Sequence, residues 1–365
     1  MAWTYWMCDT VTGTRLLQVV PSAGSWGRVL NAFRGGSHEF KTAAVSSPVT
    51  PWASITVPWA TTLVQCWNGR PVYAGIVTGR NEAWDDGRTF TITHSEFRII
   101  FARRFPFAVG AFAGGTFSAN NLQYRSILAT LLQYTTVVGG TQILPVVLPA
   151  IVAGTQSRTY YNYSLQSIED GLREIQNSNG GPDIDFAPSW SGGLSGGLQY
   201  TARMGTDAAP KLTGGIFDFN MTAERNGLFN VSITEDATKQ LTGIIAVGAG
   251  SGADVKVAQA GIGAAGTFGT VPRLDVAHPF GQIEVQTDLQ NHANAEIALY
   301  QYPTKQWQMS LMADGPVDVG SLVLGSTLRV YNKGRILAPD GWTSQRLIGI
   351  SGDLSNKITL DVQAA

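Results

Sequence analysis

Asp183 and Asp185 are the residues of this chain whose spacing most directly suggests chemistry. Carboxylates two apart on a strand share one face. Such a pair can run glycoside hydrolysis, one donating a proton while the other acts as base or nucleophile. A polar strand face explains the same two residues. Gly261-Ile262-Gly263-Ala264-Ala265-Gly266 spells the dinucleotide fingerprint, which needs a strand before it and a helix after it to hold a pyrophosphate. Thr267-Phe268-Gly269-Thr270-Val271-Pro272 follows instead and starts no helix, so the segment reads as a loop. Gly248-Ala249-Gly250-Ser251-Gly252 approaches a nucleophile elbow, with its serine one place late. His38, His94, His278 and His292 are the only histidines; with Cys8 and Cys66 they show no metal-ligand spacing. Each histidine reads as a surface or core residue. Arg98, Arg103 and Arg104 interleave with Phe97, Phe101 and Phe105, a pattern that serves phosphate contact and base stacking. With no second basic cluster, a domain-edge interface is the simpler reading. These residues predict no catalytic, cofactor-binding or metal site.

The elements that would position them are mostly strands. Ser54–Val57, Leu63–Trp67, Val72–Val77 and Thr89–Thr93 are alternating or continuous apolar runs. Asn68-Gly69 and Asp86-Gly87 supply hairpin turns. Three helices stand out. Asn121 caps the first, with Tyr124, Ile127, Leu128, Leu131 and Leu132 on one stripe. The second starts at Ser164, buries Leu165, Ile168, Leu172 and Ile175, exposes Glu169, Asp170, Arg173 and Glu174, and stops at Asn179-Gly180-Gly181-Pro182. The third runs Asp288–Tyr300 behind a Thr287/Gln290 capping box, with Leu289, Ala293, Ile297 and Tyr300 facing inward. Further strands are expected at Asp183–Ala187, Leu198–Arg203, Gly215–Met221, Asn230–Thr234, Thr242–Val247, Trp307–Met312 and Ser321–Leu324.

The chain of 365 residues is too long for one ordinary core. Its net charge of −1 gives the average surface no pull on nucleic acid or membrane. Charged residues make up only 14%, and there are 10 Trp, which fits either extensive protein–protein contact or β cores that consume aromatics. Cys8 and Cys66 read as buried free thiols. The N-terminus lacks a signal-peptide pattern and Ile143–Ala153 is too short for a span, so folding in a cytoplasm without membrane insertion is expected.

Two stretches about 260 residues apart echo one another. Thr62–Arg70, Val72–Gly79 and Arg88–Thr93 form the first; Thr327–Arg335, Leu347–Gly352 and Lys357–Val362 form the second. Each reads as strand, tight Gly-Arg turn, strand carrying Gly-Ile, polar turn and alternating strand. Two such modules per chain would let three copies close a ring of six. A mainly β (α+β) fold follows, with two β modules and inserted small α/β domains. The expected domains are 1–106 (first β module), 107–210 (inserted α/β), 211–247 with 305–365 (second, discontinuous β module) and 248–304 (small insert with one helix).

The order of parts resembles the tail-tip or baseplate hub proteins of long-tailed bacteriophages, more narrowly the Siphovirus Gp37-like minor tail proteins of actinobacterial phages. Val64–Gly79, the segment ending at Phe105, Ser164–Phe186, His278–Pro303 and the module ending near Val362 carry the likeness. The resemblance implies that the two modules are tube-like β barrels of a hub, in a structural virion protein with no cofactor and no enzymatic activity. It implies a homotrimer at the distal end of the tail, adapting a sixfold tube to a threefold tip and forming the channel for tape measure and DNA. Implied partners are the chain itself, a distal tail protein, the tape measure protein and other tip or fibre proteins, with DNA only in transit. Arg70 and Arg335 are expected near contacts between modules. Because the sequence ends at Ala365, right after its last strand, a wall-degrading or receptor-binding extension is expected on another polypeptide. The alternative is a tail-tip receptor-binding or cell-wall-degrading protein, with Trp84 or Trp190 as sugar platforms.

Overall fold

A computed structural model of the chain describes residues 3–42, 51–83, 89–107, 114–136, 143–178, 180–193, 196–224, 227–261, 271–281, 283 and 285–364. The fold is mainly β. The chain divides into two compact units, Met1–Val231 with Gln308–Ala365, and Ser232–Trp307.

The first unit opens with β1 (Trp3–Asp9), β2 (Arg15–Val19), β3 (Ala23–Val29) and β4 (Gly35–Lys41), a short helix α1 (Trp52–Ile55), then β5 (Thr61–Trp67), β6 (Arg70–Ala83) and β7 (Thr89–Glu96). The apolar run at Ser54–Val57 is therefore one helical turn leaving the sheet, not a strand. A 3-10 turn, Phe97–Arg103, leads to β8 (Thr116–Leu122), α2 (Tyr124–Thr136), β9 (Val146–Val147), β10 (Gln156–Tyr161), α3 (Ile168–Gln176), β11 (Ile184–Trp190) and β12 (Leu198–Met204). After β13 (Ile216–Asn220), β14 (Leu228–Asp236) carries the chain out to the second unit. That unit packs β15 (Gly243–Val247), β16 (Val257–Ala260) and β17 (Asp275–Pro279) against α4 (Gln286–Tyr300) through Ile244, Ala246, Leu289 and Ala293. β18 (Thr304–Met312) returns, and β19 (Thr327–Asn332), β20 (Gly341–Gly352) and β21 (Lys357–Ala364) finish the first unit.

The main sheet runs β18-β21-β20-β3-β4-β7-β6-β5-β1-β2. Five ladder steps separate β1 from β3, about 24 Å along a flat sheet at ~4.8 Å per step. Yet the Trp3 and Trp26 rings lie 6.0 Å apart, and Tyr5 on β1 lies 5.6 Å from His38 on β4. The N-terminal sheet must curl until its margins face each other. Its two faces bury different cores. Cys8, Val64, Cys66, Ala74 and Ile76 meet α2, α3, β11 and β12, while Tyr5, Met7, Leu63, Val77 and Ile92 point to the other side. Covered on both faces, β5 is buried along its whole length, which is why it reads as a continuous apolar run rather than an alternating one.

The echo between the two modules is an antiparallel meander in each case, β5-β6-β7 and β19-β20-β21. In both, the middle strand bulges against the third, between Val77 and Gly79 and between Leu347 and Gly349. Only the first meander has the expected tight turn, with Asn68 (φ 49°) and Gly69 (φ 78°) between paired Trp67 and Arg70. In the second, Asn332 pairs Gly341 and residues 333–340 form a longer connection, so Gly334-Arg335 is not a two-residue hairpin. The stretch Ser321–Leu324 is likewise no strand; a 3-10 turn, Val319–Ser321, begins it.

Helix starts differ from the sequence expectation for identifiable reasons. Asn121 is a left-handed residue within β8 (φ 55°), and the N–H of Tyr124 at the head of α2 is instead taken by Asp207, remote in sequence. α3 starts behind Ser167, whose hydroxyl and the Asp170 carboxylate form a capping box. Leu165 lies outside it, left-handed and exposed. α4 begins at Gln286 with no side-chain cap, so Thr287 is already helical.

Candidate functional site

The densest polar cluster of the first unit lies where β20 joins the N-terminal sheet. β20 pairs β19 over Gly341–Arg346 and then β3, from Gly349 against Val29 to Gly352 against Trp26. Behind this splice stand β11 and β12.

Asp185 is buried and holds Arg28 of β3, whose Nη2 donates to both carboxylate oxygens at 2.7 Å. Arg203 of β12 donates to the same carboxylate at 3.0 Å and to the Leu324 and Thr213 carbonyls at 2.9 Å. Asp183 pairs with Arg346 of β20 and accepts from Asn31 Nδ2 (2.7 Å) and the Leu212 N–H (2.8 Å). Asn31 stands at φ 65° in the turn after β3; its Oδ1 accepts from the Ile184 N–H (2.8 Å) and Gln176 Nε2 (2.7 Å). Gln176 accepts in turn from Arg98 Nη2, and Arg98 Nε donates to Glu169, both at 2.7 Å. Glu169 also holds Arg173 one turn along α3 at 2.7 Å. One chain of hydrogen bonds, charge-assisted at its ionic ends and neutral at Asn31, therefore links the 3-10 turn, α3, the turn after β3, β11 and β20.

Glu96 sits beside it at the end of β7. Its Oε2 accepts the Val29 and Arg34 N–H groups at 3.1 and 2.8 Å, which clamps both ends of the turn after β3. Burial pushes its carboxyl up to about 8, against the opposing pull of Arg28 and the backbone donors.

A second buried polar cluster occupies the curl. His38 Nδ1 meets His94 Nε2 at 2.8 Å, and His94 Nδ1 meets the Tyr73 hydroxyl at 2.8 Å. Gly24, Gly36 and Gly75 leave the space these rings fill: a Cβ on Gly24 would stand 2.4 Å from His38, and one on Gly75 would stand 2.8 Å from His94. Burial lowers His38 to about 4 and, together with His38 itself, lowers His94 to about 3.

The structure thus brings Asp183, Asp185 and Arg98 into adjoining hydrogen-bonded clusters and gives each a structural partner. Asp183 and Asp185 have their oxygens committed to guanidinium, amide and backbone donors, which leaves no free pair for acid–base work. Of the expected basic-aromatic patch, Arg98, Phe97 and Phe101 are buried. Arg103 lies over the Trp59 ring at 5.9 Å, and Phe105 stacks on Phe107. Trp190 is no exposed platform; its Nε1 donates to the Gly69 carbonyl at 2.7 Å and Arg15 lies 3.7 Å from its ring centre. His278 pairs with Glu296 and His292 lies against Phe280, both within the second unit. Among the described residues no group of three or more His, Cys, Asp or Glu could hold a metal ion, and no helix is long and apolar enough to cross a membrane. Gly261 ends the described part of the Gly-rich stretch; the rest of that fingerprint and Trp84 lie outside the described residues. Sequence reasoning missed Glu96, Glu169 as a buried acid, Arg28 and Arg346. Only Glu169 carried a signal, an acid four before Arg173 on a helix.

The network's carboxylates are committed to structural partners, and what the comparisons add is the fold around them. It is a fold of phage tail proteins and of a type VI secretion component. The 43 kDa tail protein of prophage MuSo2 from Shewanella oneidensis matches with a TM-score of 0.61 at 9% identity, over 99% of this chain and 98% of that one. A tail protein from Neisseria meningitidis MC58 matches with a TM-score of 0.54 at 11% identity, over 100% and 97%. The E. coli c3393 protein, a component of the type VI secretion system, matches with a TM-score of 0.50 at 9% identity, over 94% and 73%. At these identities the likeness is one of fold. No protein-family model and no curated protein sequence matches the chain.

Proposed function

We propose that this chain is a structural component of a phage tail, a trimeric hub at its distal end. The observation that carries the reading is the end-to-end correspondence with the MuSo2 tail protein, over nearly the whole of both chains. The two meanders joined through β20 and β3 support it further, because two similar β modules per chain are what three copies need to meet a sixfold tube. A closed ring of this kind uses one heterologous interface repeated three times. In this reading residues 1–106 and 211–247 with 305–365 are the tube modules, and 107–210 and 248–304 are peripheral domains. The ring docks a distal tail protein, meets the tape measure protein in its lumen, carries tip or fibre proteins and passes DNA. The role is mechanical rather than catalytic.

Mass in solution followed by negative-stain class averages tests this. A trimeric ring with a central hole is the expected result. A chain that stays monomeric even when co-expressed with its neighbouring tail proteins would overturn it. Arg70 lies beside Gly320 of the C-terminal segment, and Arg335 is exposed. Both are proposed to lie near contacts between modules, so charge reversal at either that leaves the oligomer intact counts against that placement.

A further inference from the structure

Arg28, Glu96, Phe97, Arg98, Phe186 and Pro188 line a small cavity beside the ionic network, about 10 Å³ in volume and so of the size of a single bound particle such as one water. Two of these residues carry an unused donor. Arg28 Nε and Arg98 Nη1 are buried and have no hydrogen-bond partner among the described residues. Both side chains are more than nine-tenths buried. Buried donors of this kind are rare, and each needs a partner or an occupant. Glu96, which also lines the cavity, spends its Oε2 on the Val29 and Arg34 N–H groups and keeps its Oε1 uncommitted by them. Burial keeps that carboxyl protonated near neutral pH, so Oε1–H is a third donor.

We propose that this cavity is a binding site for a small monovalent anion, chloride in solution, held by Arg28 Nε, Arg98 Nη1 and the Glu96 hydroxyl. Donors on three residues that line one cavity, two of them cationic, match an acceptor-only ligand. Water would have to turn its own two hydrogens toward acceptors. The charge balance points the same way. Of the charged residues lining the cavity, Arg28 and Arg98 are cationic and Asp185 is anionic, so with Glu96 protonated the lining carries excess positive charge. Asp185 also faces the cavity, but its oxygens are taken by Arg28 and Arg203. A bound anion would thereby join β3, the 3-10 turn and the end of β7 through one ion.

Crystals of the full chain grown or soaked in sodium bromide test this directly. One anomalous peak in contact with Arg28 and Arg98 is expected; water density alone, or a direct Arg98–Glu96 bond closing the cavity, overturns the proposal. In solution, the thermal midpoint should rise with the logarithm of chloride concentration and not with gluconate at equal ionic strength. Glu96→Gln keeps an N–H donor at this position and should retain the chloride response. Equal midpoints in chloride and gluconate would also overturn the site.

Discussion

The two meanders share a strand succession and a bulge, yet their surroundings make them different objects. In the first, β5 is buried on both sides and the neighbouring strands hold a histidine pair in a hollow kept by glycines. In the second, β21 alternates buried and open residues, and the polar pair across β13 and β19 (Asp218 and Arg329) faces solvent. What differs is which elements were inserted against each sheet. The helices and strands between β7 and β13 cover the first meander's outer face, whereas among the described residues β21 keeps its alternating residues open. A repeated β plan can therefore place its polar groups under opposite dielectric conditions, and their energetic weight follows the cover, not the plan.

Breaking the link between the meanders should have the largest effect. Asp185→Ala leaves Arg28 buried without its carboxylate, and loss of one partner of a buried pair costs about 3–5 kcal/mol. Urea unfolding should show the midpoint fall accordingly with the slope preserved. An unchanged midpoint would mean that the network does not hold the splice.

Acid separates the two meanders next. Both buried imidazoles bind protons more weakly in the fold, at about 4 and about 3, than at their ordinary value of 6.5. Stability from this pair is complete above pH 6.5 and is lost as pH falls toward those values, at roughly 1 kcal/mol or more per pH unit. Tyr5 and Tyr73 lie against the pair, with Trp26 beside Tyr73, and none of the three supplies a counter-charge. The described second meander has no histidine, so hydrogen exchange near pH 4.5 should rise in β4, β6 and β7 before β19–β21. His94→Gln should flatten that acid limb. Uniform opening of both meanders would refute the asymmetry.

Much of this contrast was legible in sequence, and the limits have physical causes. The meanders, α2, α3 and β11–β12 follow from apolar periodicity and turn chemistry, which are local. Asn121 is not the cap of α2 because Asp207 reaches that helix from afar, and α3 starts after Ser167 rather than at Ser164 because Ser167 forms the capping box. Asp183 and Asp185 were recognised as a pair, but their partners sit up to 163 residues away on β3 and β20. No spacing rule reports such a contact. Glu169 looked like a solvent-facing acid on a helix until the 3-10 turn laid Arg98 over it.

A smaller effect should distinguish the two turns. Gly69 has φ 78° inside a two-residue hairpin, and a Cβ in that region costs about 1–2 kcal/mol. Gly334 has φ 67° with open space around it, in a connection long enough to redistribute the strain. Gly69→Ala should therefore lower the thermal midpoint more than Gly334→Ala. The reverse order would imply that the second connection is pinned by a contact, as a subunit interface would pin it.

The smallest effect is expected at the open pair. The hydrogen bond from Arg329 holds the Asp218 carboxyl below its usual range, and its own charge adds to this. That shift reports a good contact rather than a stabilising one, because both groups stand in solvent, where water and salt replace what the partner gives. Arg329 also lies over the Trp342 ring, so its stem stays packed when the acid is gone. Asp218→Ala should leave the unfolding midpoint unchanged within error at physiological salt. A clear fall, removed by raising the salt, would show that this face is less open in the assembled protein than in one chain, and would move the pair from the second meander's surface into an interface.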